Sequence, residues 1–111
     1  MRPILIDDAL SASAALMVVP AGHRPWVLCR MLAEADAADR LYRATGRPHP
    51  LWGEGSLMAA ARRRRRAARL DLEQPETCDV LALVWSLLAA RHRNVRRLPV
   101  PQVPRGMGSI G

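Results

Sequence analysis

A chain of 111 residues, half of them apolar, can build one hydrophobic core and little more. Its net charge of +7 is unevenly placed: residues 1–61 hold six Arg against six acids, and residues 62–111 hold eleven Arg against four. The longest nearly apolar run, residues 80–90, falls well short of the roughly 20 residues of a membrane span, and Cys29 and Cys78 are too few and too far apart for a disulfide framework.

Seventeen Arg and eighteen Ala, with neither Lys nor Phe, read as the bias of a GC-rich bacterial genome. Part of the Arg content therefore does surface work that Lys would otherwise share. The start lacks the long apolar stretch of a secretory leader and soon reaches Asp7 and Asp8. A cytoplasmic protein without membrane association is expected.

Every periodic stretch steps by three and four residues, which predicts four helices and no sheet. Asp7 is placed to cap the first helix, and Pro20 with Gly22 ends it. Pro25 suits the first turn of the second, where Leu28, Met31, Leu32, Ala35, Ala38 and Tyr42 form an apolar stripe. Its opposite face holds Arg30, Glu34, Arg40 and Arg43, with Asp36–Arg40 and Asp39–Arg43 spaced as i,i+4 ion pairs. Gly46 offers a left-handed stop. Residues 46–55, GRPHPLWGEG, form the main loop.

Ser56 is placed to cap a short third helix that runs into five arginines. Pro75 opens the fourth helix with Glu76 in its first turn. Val80, Leu81, Leu83, Val84, Trp85, Leu87 and Leu88 then cover nearly every direction, the pattern of a central helix or of one shared with another chain. Trp85 and both cysteines are expected to be buried, and Arg91, His92 and Arg93 to close the helix. The expected organisation is all-α: a single orthogonal or bundle-like four-helix domain over residues 1–97, then a flexible Pro/Gly-rich tail at 98–111.

Residues 45–61 (TGRPHPLWGEGSLMAAA), together with 33–40 (AEADAADR) and the fourth helix, resemble a family of short uncharacterised proteins from alphaproteobacteria of the rhodobacter group. The resemblance spans about residues 1–92 and implies a cytoplasmic bacterial protein. It brings no activity, cofactor or catalytic residue. The tail lies outside it and the unbroken arginine block departs from it, so a function common to the family cannot rest on that block.

No constellation for chemistry emerges. His23, His49 and His92 are isolated and form no metal-binding pair with Cys29 or Cys78, while Ser56 and Ser86 belong to no triad motif. The expectation is no catalytic, metal or cofactor site and no enzyme activity. Gly53, Glu54, Gly55 and Ser56 look like the start of a phosphate cradle, yet the chain has no Lys, no preceding strand is expected, and Glu54 would repel an anion. A turn followed by a helix cap is preferred.

The block Arg62, Arg63, Arg64, Arg65 and Arg66, with Arg69 after it, is the candidate contact surface. Successive helical residues turn by about 100°, so at least one of the five must face the packing partners of the third helix. Either the helix ends inside the run, placing cations near its last carbonyls, or it projects as a basic arm toward nucleic acid. The first is preferred, because no aromatic flanks the run for stacking on bases. A helix-turn-helix from residues 56–69 and 75–92 is disfavoured, since residues 80–88 offer nothing to read base edges.

Trp52 is expected to plug a gap between helices. The alternative is that Leu51 and Trp52 anchor a protein partner. The function expected is a small protein-interaction or regulatory module whose partner is an acidic protein or a second copy of itself. The alternative is a nucleic-acid-associated protein working through the arginine cluster.

Overall fold

The computed structural model describes residues 2–97, with side chains as far as residue 94, and the expected tail at 98–111 lies outside the described residues. About 68% of the described residues are helical. Helix α1 spans Ile6–Met17, and a single 3-10 turn at Ala21–His23 leads into α2, Arg24–Thr45. After the long loop come α3, Leu57–Arg62, and α4, Pro75–Arg97. Among the described residues there is no strand, only an isolated antiparallel bridge between His49 and Gly53.

Alanine builds much of the core. Ala9, Ala12 and Ala15 of α1, Ala35 of α2, and Ala60 and Ala61 of α3 are buried beside Leu16, Leu28, Met31, Leu57, Val80 and Val84. Side chains this small let helix axes approach closely. The central element is α1, which packs chiefly on α3 and α4 and less on α2.

That arrangement corrects the expectation for α4. It lies across α1 as an outer helix, seated by the buried stripe Thr77, Val80 and Val84 with partly buried Leu83, Leu87 and Leu88 beside it. Trp85 follows Val84 by one position, is turned about 100° out of that stripe, and is 44% exposed rather than buried. The same rotation exposes both cysteines, since Cys29 follows buried Leu28 and Cys78 follows buried Thr77. The helix also continues past Arg93 to Arg97.

The helix ends show what fixes these positions. Leu5 holds the N-cap position of α1, and Asp8, not Asp7, does the capping: its Oδ2 accepts from the Leu5 N–H at 2.8 Å. At the other end of α1, buried Arg24 bends back. Its Nε donates to the Leu16 carbonyl in the last turn of α1 at 2.9 Å and to the Val19 carbonyl just beyond the helix at 3.0 Å. The same guanidinium pairs with Glu76 at the head of α4. Gly46 ends α2 at φ 72, as expected, with its N–H on the Tyr42 carbonyl at 2.7 Å.

Candidate anion-binding surface

Three anchors place the arginine run. Ser56 caps α3 as expected, its Oγ accepting from the Ala59 N–H at 3.0 Å. The Met58 N–H donates to Asp8 Oδ1 at 2.9 Å, so one carboxylate joins the N-termini of α1 and α3. Gly55, at φ 103, lies so close to α2 that a Cβ there would stand 2.6 Å from the Asp39 Cα. The first amides of α3 are therefore answered from inside the protein, and residues 53–56 form a turn and cap rather than an anion cradle.

Helix α3 lasts six residues and ends within the run, at Arg62. Residues 63–70 continue without regular structure and are tied down at two points. Arg64 Nη2 donates to Glu34 Oε2 of α2 at 2.8 Å, and the Ala67 N–H donates to the Ala14 carbonyl of α1 at 2.9 Å. Glu34 was expected on a solvated face, but the run settles on that face of α2 and leaves it 8% exposed. Arg62, Arg63, Arg65, Arg66 and Arg69 are all exposed and, among the described residues, none enters an ion pair.

Among the described residues no acid is within ion-pair distance of them. Glu76 is on Arg24, and Asp71 Oδ1 accepts from the Glu73 N–H at 3.0 Å. Asp39 pairs with Arg43 at 3.0 Å, as the spacing predicts. Asp36 does not join Arg40; Arg91 of α4 takes it at 2.8 Å, linking α2 to α4. Burial opposes charge on Asp36, but hydrogen bonding and the nearby Arg91 charge hold its carboxyl below the ordinary 3.8.

Beside the free arginines lies a groove of about 590 Å³ between α1, α3 and the start of α4. Leu10, Met58, Leu70, Leu72 and Leu81 form its apolar surface, while Arg62, Arg66 and Arg69 stand with Asp7 among its polar lining. Leu72 is 65% exposed. No linear signal could have shown this groove, because its walls come from four separate parts of the chain.

An aromatic also comes near the run, from α2. Trp26 is 65% exposed, with the Arg30 guanidinium 5.5 Å from its ring centroid. Arg30 reaches Glu34 Oε2 at 3.9 Å, the same oxygen that Arg64 holds.

Trp52 does not plug the core. It is half-buried, outside the core cluster, and its indole stacks on His49 with centroids 4.4 Å apart and planes 10° from parallel. His49, read from sequence as an idle loop histidine, organises the turn: its Nδ1 accepts from the Leu51 N–H at 3.0 Å and the Trp52 N–H at 3.1 Å. Leu51 remains exposed.

Among the described residues no three His, Cys, Asp or Glu side chains gather where they could hold a metal ion, and no helix is long and apolar enough to cross a membrane. A family model described as a domain of unknown function, DUF7742, matches residues 2–88, the arginine run included. No curated protein and no solved structure matches the chain.

Proposed function

The chain belongs to the DUF7742 family, a domain of unknown function, and since membership brings no activity with it we propose, from the surface alone, a small non-enzymatic protein-interaction or regulatory module that engages an acidic partner. The observation that supports this reading is the state of the arginines. One of the run, Arg64, is spent on Glu34 and fixes the segment, while among the described residues Arg62, Arg63, Arg65, Arg66 and neighbouring Arg69 enter no ion pair. Cations held in place without internal partners raise the local concentration of anions and steer their approach. A cytoplasmic setting in an alphaproteobacterium of the rhodobacter group belongs to the same reading, supported by the Lys-free, Arg- and Ala-rich composition. So does one domain over residues 1–97.

Nucleic acid is the second reading, and Trp26 is the observation that favours it. A largely exposed indole, with Arg30 against its ring and linked through Glu34 to Arg64, would supply the stacking element that the sequence around the run lacks. A second copy of the chain is the third partner, and exposed Leu5, Ile6 and Trp85 are the apolar surface that would serve it.

Fluorescence anisotropy with labelled polyglutamate and a labelled thymidine oligonucleotide tests the proposal. Polyglutamate binding that weakens with salt, and is lost when Arg62, Arg63, Arg65, Arg66 and Arg69 are all changed to Ser, supports an acidic protein partner. Tighter binding of the oligonucleotide, weakened by Trp26→Ala, supports the second reading. Absence of binding to either at low salt refutes both.

A further inference from the structure

We infer that the groove between α1, α3 and α4 is the docking site for an amphipathic acidic helix of a partner protein. Apolar side chains of that helix seat on Leu10, Leu72 and Leu81 while its carboxylates meet Arg62, Arg66 and Arg69. The inference rests on the acidic-partner reading above and names what that partner presents.

The groove combines two properties in one place. Its volume of about 590 Å³ falls in the range of side-chain and ligand pockets, roughly 300–1,000 Å³. Its apolar surface is open rather than collapsed: Leu10 is 38% and Leu72 65% exposed, and the Ala67 N–H to Ala14 carbonyl bond pins the lining segment to α1. An exposed leucine beside an arginine with no ion pair is unfavourable on one count and unspent on the other, and a ligand that is apolar on one face and acidic around it answers both.

Charge complementarity selects the occupant. Three arginines face a single acid, Asp7, in the lining. A second copy of the chain brings a net charge of +7, and the chain's own residues 98–111 contain no acid at all, so neither complements the rim. Nucleic acid would satisfy the arginines but leave the leucine surface without a partner. An acidic helix with apolar residues at i, i+3 or i+4, and i+7 presents one stripe to the leucines and carboxylates on either side of it, the usual way a helix is read by a groove.

The experiment compares three labelled probes: a helical peptide of Leu and Glu with leucines on one face, a peptide of the same composition in scrambled order, and polyglutamate. Anisotropy is read with wild type, Leu72→Ser and the triple variant Arg62→Ser, Arg66→Ser, Arg69→Ser. The patterned peptide is expected to bind at least tenfold more tightly than the scrambled one. Leu72→Ser should abolish that advantage while leaving polyglutamate binding intact, and the triple variant should weaken all three. Leu72 is largely exposed, and unchanged circular dichroism of the variant confirms that the fold is kept.

Equal affinity for patterned and scrambled peptides, or no response to Leu72→Ser, overturns the groove while leaving the acidic-partner reading in place. Failure of all three probes to bind overturns both. Displacement of the patterned peptide by a thymidine oligonucleotide that binds more tightly assigns the arginines to nucleic acid and overturns the groove. A concentration-dependent dimer in light scattering that Leu72→Ser dissociates assigns the groove to a second copy and overturns the proposal too.

Discussion

Asp8 is the residue whose loss should cost the fold most for its size. It is 6% exposed, and its two oxygens accept from the Leu5 N–H at 2.8 Å and the Met58 N–H at 2.9 Å. Asp8→Ala removes both acceptors at once, leaving an amide without its partner at the head of α1 and another at the head of α3. An unsatisfied buried donor costs about 1–3 kcal/mol. Both bonds are only partly buried, so about 1–1.5 kcal/mol, the lower end of that range, applies to each, and the sum is about 2–3 kcal/mol. In a domain of this size each kcal/mol moves the melting temperature by roughly 4–8 °C. Thermal unfolding followed by circular dichroism should therefore show Asp8→Ala melting roughly 10–20 °C below wild type. Asp8→Asn keeps one carbonyl oxygen and should lose about half as much. An Asp8→Ala protein melting within about 2 °C of wild type would show that neither bond holds the helices.

Gly55→Ala should destabilise by roughly 3–5 kcal/mol, because its Cβ would strike the Asp39 backbone at a positive φ, whereas Gly46→Ala, left-handed but in open space, should cost only about 1–2 kcal/mol; equal denaturant midpoints would contradict this. Trp85→Ala should cost about 1–2 kcal/mol rather than the 3–5 of a fully buried aromatic, and a larger loss in chemical denaturation would mean that α4 is central after all. Asp36 has a lowered native pKa, so its contribution to stability is complete above the ordinary 3.8 and is lost as pH falls through the native value. Asp36→Asn should be less stable than wild type near neutrality and lose less on acidification, which acid titrations of melting temperature will show. Glu34→Gln weakens the hold on Arg64, and limited trypsin digestion should then cut the arginine segment faster than in wild type while leaving α2 intact.

The helices were legible because their ends are written locally: Ser56 and Gly46 act where they stand, and the apolar stripe of α2 has the helical period. What could not be read was which stripe faces the centre. Alanine counts as weakly apolar in any periodicity, so α1 looked minor beside α4, yet three alanines one turn apart are what let α3 and α4 close on it. The arginine run was legible as a helix end with one member turned inward. That this member is Arg64, and that Glu34 waits for it, depends on a contact between residues 30 positions apart. Trp26, Arg30 and the leucine groove escaped for the same reason, since neighbours in space are far apart in the chain.

Three of the ties that hold α1 and α2 in place share one property. Asp8 to Met58 spans 50 positions, Arg24 to Glu76 spans 52, and Asp36 to Arg91 spans 55. Half of the chain must close back on the other half before any of them forms, and the entropy of closing one such loop is largely shared by the next. Folding should accordingly be all-or-none, with no stable intermediate built from either half. During synthesis, α1 and α2 leave the ribosome with their partners still unmade. A chain cut in the loop before Ser56 gives two pieces that each hold one end of each of these ties, and the expected behaviour is two unfolded fragments that regain helix only when mixed.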